Sequence, residues 1–259
     1  MQGWEFWIVA VIGAVLTGVG KGGIPIVGAL VVPVMSLAIS PVVAAGLMLP
    51  VYVVSDWFGL YAYRKEFDKR VLAIACVGMT VGVGIGWAIA RFIPEAWVTV
   101  LVGVIAVAFS LNQLLRKPVV AEPKRAEVAP GIFWTIIAGF TSFVSHTGGP
   151  PYQVWTLPLG MKKAVFAGTS TIAFAYINAV KLVPYYFLGQ ITLSSLETAL
   201  VLMPVAAASV FLGVWAVRRL PEKLFFRIVT WSLLVIGADL IGKGVTGVEP
   251  LVALFSAFA

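Results

Sequence analysis

Gly18-Val19-Gly20-Lys21-Gly22-Gly23-Ile24-Pro25 lies inside a long apolar stretch, and His146-Thr147-Gly148-Gly149-Pro150-Pro151 lies inside another. The two are copies. Gly13, Gly22, Gly23 and Pro25 recur as Gly139, Gly148, Gly149 and Pro151. Further out, Ala45-Gly46 recurs as Ala167-Gly168, and Asp56 as Asn178. Gly86, Arg91, Pro94 and Glu95 recur as Gly213, Arg218, Pro221 and Glu222. The register drifts by a few residues between blocks, as loop insertions would cause. A duplicated apolar chain, broken by Gly and Pro at matching places, is the pattern of a secondary transporter whose site lies where the two breaks meet.

Composition supports the membrane setting. The chain is 61% hydrophobic and 11% charged, with mean hydropathy +1.02. A soluble domain carries about 25% charged residues. The net charge of +7 comes with no aromatic-basic cluster, so nucleic acid is not an expected partner. The single cysteine, Cys76, sits in an apolar run and reads as a small buried hydrophobe. Residues 1–6 carry no Lys or Arg, so no cleaved signal peptide is expected.

Each half reads as five apolar segments: 4–19, 24–39, 42–63, 71–92 and 97–115, then 132–144, 151–159, 165–188, 193–217 and 225–241. The polar stretch around 118–130 is the linker between a first repeat, 1–117, and a second, 131–259. A short apolar tail, 251–259, cannot span. The first two segments of each half are short. Residues 151–159 would make about 14 Å of helix, against a hydrocarbon core of about 30 Å. The expected fold is an all-α polytopic membrane protein with two inverted repeats. Each would hold a Gly/Pro-broken re-entrant helix pair and three long transmembrane helices.

The basic residues give the orientation. Clusters at 64–70, 116–125, 162–163 and 218–227 hold fourteen of the eighteen Lys and Arg. All face the cytoplasm if each half crosses an odd number of times. The loop at 189–192, equivalent to the basic loop at 64–70, has no charge and then lies outside. Equivalent loops on opposite sides mean inverted repeats, with both termini extracytoplasmic.

Candidate site residues cluster at the breaks. Gly20, Gly22 and Gly23 let the chain unwind and expose backbone N–H groups. Pro25 and Pro151 suit the first turn of a new half-helix, whose positive end attracts anions. The competing reading is close helix packing through small residues. Lys21 would supply positive charge at membrane depth. His146, the one histidine, would accept a proton near neutral pH. Thr147, Gly148, Gly149, Pro150, Gln153, Thr169 and Ser170 complete the candidate substrate site. Asp56, Asn178 and Lys181 form a coupling or helix-pairing set, with Asp56 a proton or sodium carrier or the partner of Lys21 or Lys181. Asp239 and Lys243, four apart, read as a local ion pair. Tryptophans near segment ends read as an interfacial belt. No nucleophile–base set or metal cluster is legible, so neither enzymatic activity nor a cofactor is expected.

The chain resembles the sulfite exporter TauE/SafE family of bacterial membrane transporters. The resemblance rests on residues 18–25 with Pro33 downstream, on Gly148-Gly149-Pro150-Pro151, and on Ala167-Gly168-Thr169-Ser170 followed by Asn178 and Gly189-Gln190-Ile191. It implies a carrier for a small sulfur-containing anion such as sulfite or a sulfonate, in the bacterial inner membrane, with protons or sodium as candidate coupling ions. An anion channel or a carboxylate transporter on the same scaffold is the alternative. Lys21 among the first glycines and His146-Thr147 before the second depart from the commonest glycine-rich pattern.

Overall fold

The computed structural model describes residues 4–24, 27–28, 30–35, 38–39, 41–89, 92, 95–115, 124–189 and 193–247. Pro25, Arg91, Pro94, Gln190, the tail 251–259 and the first part of the linker lie outside them. Among the described residues the fold is all helix, with no strand. The first half holds α1 (Trp4–Lys21), α2 (Val31–Met35), α3 (Pro41–Tyr63), α4 (Lys69–Ile89) and α5 (Glu95–Leu115). The second holds α6 (Val128–Ser145), α7 (Gly149–Thr156) with a 3₁₀ turn at Leu157–Leu159, α8 (Lys163–Phe187), α9 (Leu193–Arg219) and α10 (Glu222–Thr246).

Six of these helices are long and apolar enough to cross a membrane: Trp4–Lys21, Lys69–Ile89, Ala96–Leu115, Lys163–Phe187, Leu196–Arg219 and Glu222–Thr246. Their outward faces expose large apolar side chains, among them Trp4, Trp97, Leu200 and Phe211, as lipid contact requires. The chain is a multi-pass membrane protein.

One expectation needs correction. The first member of each broken pair is not short. α1 and α6 each have 18 residues, about 27 Å of helix, and only α2 and α7, with 5 and 8 residues, are too short to cross. The sequence reading cut α6 at its start because Pro130 looked like linker. Proline there falls in the first turn, where its missing N–H costs no helical bond, so the helix begins at Val128.

Helix pairing follows the duplication. α1 runs along α9, and its counterpart α6 runs along α4. α3 crosses α8, and α5 pairs with α10. α3 also meets α9 as α8 meets α4, and each short helix packs on the helix before it. Exchanging the halves maps this set of pairs onto itself. Small residues permit the close approaches. A Cβ on Gly22 would lie 2.5 Å from the Gly213 Cα, and one on Gly139 would lie 2.2 Å from the Met79 carbonyl oxygen. The packing role is therefore real for Gly22.

Local signals place the loop between α3 and α4. Asp68 caps α4 by accepting the Val71 N–H at 2.9 Å, and the Asp68 N–H donates to Thr169 Oγ1 at 2.9 Å. Gly168 sits where a Cβ would strike the Glu66 carbonyl oxygen. The start of α8 is thus clasped to the basic 64–70 loop.

Candidate functional site

The two breaks meet at a cavity of about 270 Å³. The end of α1 contributes Thr17, Gly20, Lys21 and Gly23. The other break contributes Ser142, His146, Thr147, Gly149, Pro150, Tyr152 and Gln153. α8 adds Ser170, Thr171, Phe174, Asn178 and Lys181, while Tyr52 of α3 and Asp239 and Lys243 of α10 close the walls.

The first break is ionic. α1 ends at Lys21, and Gly23 takes φ +106°, a backbone region that favours glycine. The Lys21 ammonium lies 2.7 Å from Asp56 Oδ1 and 5.3 Å from the centre of the Tyr52 ring. Asp56 is buried, and its second oxygen accepts a 2.8 Å hydrogen bond from Asn178 Nδ2. Asp56 and Asn178, equivalent in the repeat, therefore touch across the α3–α8 crossing. Thr171 donates to the Lys21 carbonyl at 3.2 Å, and Tyr63 donates to the Gly22 carbonyl at 2.7 Å.

The second break is held by a histidine, a tyrosine and a lysine, with no carboxylate in contact among the described residues. α6 ends at His146 in the left-handed conformation, φ 55°, and the Thr147 N–H returns to the Thr141 carbonyl at 3.2 Å. Among the described residues His146 alone is a non-glycine with positive φ. Its Nε2 is 2.9 Å from Tyr185 Oη, which also donates to the Phe143 carbonyl at 3.1 Å. Its Nδ1 faces the Lys181 ammonium at 3.5 Å. Lys181 also donates to the Ser142 carbonyl and hydroxyl at 3.2 and 3.1 Å. The consistent assignment has Nδ1 accepting from Lys181, Nε2–H donating to Tyr185, and Tyr185 donating onward to Phe143.

Gln153 and Thr17 face this space with buried oxygens, Gln153 Oε1 and Thr17 Oγ1, that have no hydrogen-bond partner. A buried polar atom left unpaired costs about 1–3 kcal/mol; the Thr17 hydroxyl can recover it by donating to an anion, whereas Gln153 Oε1 can only accept, as from a water. The start of α7 is a weaker anion site than a typical helix N-terminus. Pro150 and Pro151 carry no N–H and Tyr152 N–H bonds the Gly148 carbonyl, which leaves the Gly148 and Gly149 N–H groups.

Most candidates from the sequence thus come together. Gly20, Lys21, Gly23, His146, Thr147, Gly149, Pro150, Gln153, Ser170, Asn178 and Lys181 line the cavity. Three candidates serve packing instead. Gly22 closes on Gly213, Gly148 on the Ala138 carbonyl and Ser142, and the Thr169 hydroxyl holds the 64–70 loop. Asp56 lies behind Lys21 rather than on the wall. Tyr63 and Tyr185 were missed, although they stand at the same spacing as Asp56 and Asn178, and each anchors a carbonyl at its own break. Asp239 and Lys243, read as a local pair, also line the wall. Among the described residues no group of three His, Cys, Asp or Glu could hold a metal.

Apolar helices long enough to span, around a charged cavity at a double helix break, fit a multi-pass membrane transport protein. The family model of the sulfite exporter TauE/SafE matches residues 6–240, and the chain belongs to that family. No curated protein and no solved structure matches the chain.

Proposed function

We propose that the protein is a secondary carrier for a small anion of sulfur, such as sulfite or a sulfonate, in the bacterial inner membrane. The observation that carries this reading is the cavity at the two breaks. Four basic residues stand outside the polar loops: Lys21, Arg91, Lys181 and Lys243. Three of them line this one space, where an unbalanced cation would be costly without an anion. Buried, unpaired oxygens and the Ser170 and Tyr152 hydroxyls supply polar contacts for the ligand's remaining atoms and water.

The two halves act as inverted repeats that rock about the α3–α8 crossing, with both termini outside. The principal helix pairings, symmetric under exchange of the halves, support a two-fold repeat, and the placement of the basic loops supports its inversion. A cysteine at Lys69 is then labelled by impermeant thiol reagents only from the cytoplasm, and one at Gln190 only from outside. Labelling of both from one side refutes the inversion.

Coupling to protons is assigned to Asp56 or His146, the carboxylate and imidazole at the two breaks. The deciding experiment is counterflow of labelled methanesulfonate or sulfite in proteoliposomes. A carrier gives saturable, trans-stimulated exchange, and a pH gradient drives accumulation that Asp56→Asn or His146→Gln abolishes while exchange survives. Flux that is linear in concentration and lacks trans-stimulation identifies a channel instead.

A further inference from the structure

We propose that the cavity selects a singly charged anion, and that Lys181 rather than Lys21 is the cation that holds it. The inference rests on the carrier reading and names the charge of its substrate.

The ionisable groups at the cavity fix that charge. Among the described residues, Lys21, Lys181 and Lys243 are the lysines on the wall, Asp239 is the carboxylate on the wall, and Asp56 stands directly behind Lys21. With all five ionised, three ammoniums and two carboxylates leave one positive charge. His146 adds none in the neutral tautomer that its partners require. A monoanion brings this space to neutrality. A dianion leaves one uncompensated negative charge inside a protein of low dielectric, which is strongly disfavoured.

The geometry says which lysine is available. Lys21 is closed on Asp56 at 2.7 Å, so its charge is already matched. Lys181 is 1% exposed, and its contacts are the Ser142 carbonyl, the Ser142 hydroxyl and His146 Nδ1. Three acceptors suit the three N–H groups of an ammonium, and none of them carries a negative charge. The His146 contact, at 3.5 Å, is the longest of the three and is the one an oxyanion would replace. Anion binding would then release His146 Nδ1 from Lys181, which ties the histidine to ligand occupancy. In the first half the position equivalent to Lys181 is Gly59, whose missing side chain lets Thr171 and the Lys21 carbonyl close in. Among the described residues, Lys181 thus has no charged counterpart at the equivalent position of the first half.

The test measures binding to purified protein with four probes: methanesulfonate and acetate as monoanions, sulfate and thiosulfate as dianions. The wild type should bind methanesulfonate at least roughly tenfold more tightly than either dianion, the scale set by one unmatched charge-assisted contact. Lys181→Met should lose methanesulfonate binding by a similar factor, while Lys124→Met in the linker should not. Asp56→Asn adds one unit of positive charge and should move the preference toward sulfate and thiosulfate. The double variant Lys21→Met/Asp56→Asn removes the pair as a unit and should keep the wild-type preference. That variant decides the matter if Asp56→Asn alone fails to fold. Tighter binding of the dianions by wild type, or unchanged binding in folded Lys181→Met, overturns the charge assignment and leaves the carrier reading intact. Binding of acetate without methanesulfonate has the opposite meaning: the charge rule holds and the sulfur-anion reading fails.

Discussion

The two breaks occupy the same place in the repeat and are built from different chemistry. The first ends in Lys21, locked to Asp56, with Gly23 turning the chain at φ +106°. The second ends in His146, itself the turning residue at φ 55°, held by Tyr185 and facing Lys181. What the halves share is the backbone device: a helix that stops beside the cavity, with a tyrosine from the crossing helix on one of its last carbonyls. What they do not share is charge. Asp56 in one half is Asn178 in the other, Gly59 corresponds to Lys181, and Lys21 and His146 stand within a residue of equivalent positions. The two halves thus repeat a backbone device without repeating its charged groups.

The contrast is most exposed to a test at the ion pair. Lys21→Met leaves Asp56 buried and unmatched except for the Asn178 amide. Removing one partner of a buried pair costs about 3–5 kcal/mol, so thermal unfolding in detergent should shift down strongly. His146→Gln at the other break loses the contacts to Tyr185 and Lys181 but strands no carboxylate, and should cost about 1–3 kcal/mol. Lys21→Met/Asp56→Asn should recover most of the loss, because no bare charge remains. Equal losses in the two single variants, or no recovery in the double, would mean that the first break is not ionic in the way its geometry indicates.

Much of this was legible in the sequence, for identifiable reasons. Apolar runs end where polar loops begin, so α3, α5 and α8 fall within about two residues of where hydropathy puts them. The glycine pairs, each followed closely by proline, announced the breaks because both residue types weaken a helix in mid-run. The chain did not reveal which glycines face the cavity. Gly22 and Gly23 are adjacent, yet one packs on Gly213 and the other makes the turn, and that depends on how α9 crosses α1. Nor could it show that His146 turns the second break, since a non-glycine at positive φ survives only where its surroundings over-determine it. Tyr63 and Tyr185 were within reach of the repeat alignment. They went unread because a tyrosine near a segment end passes for an interfacial residue.

The glycine pairs supply the finest comparison. A Cβ on Gly23 would lie 2.7 Å from Tyr63 Oη and 3.0 Å from the Ala167 Cβ, at a φ that side chains rarely adopt. Gly23→Ala should therefore cost about 1–3 kcal/mol, and it should loosen the Tyr63 bond to Gly22. Gly149 stands at the first position of α7 with only Gln153 Nε2 nearby, 3.8 Å from where a Cβ would be. A methyl group there meets no backbone strain. Gly149→Ala should be neutral or stabilise by about 0.4–1 kcal/mol, chiefly by restricting the unfolded chain. Its effect should appear in binding instead, because the methyl group enters the cavity beside Gln153 Nε2, an amide donor on the wall. We expect Gly149→Ala to weaken methanesulfonate binding with its melting temperature unchanged or raised, and Gly23→Ala to lower the melting temperature. If instead Gly149→Ala destabilises the fold as much as Gly23→Ala does, the second glycine pair is a packing element like Gly22, and the wall of the site lies elsewhere in the cavity.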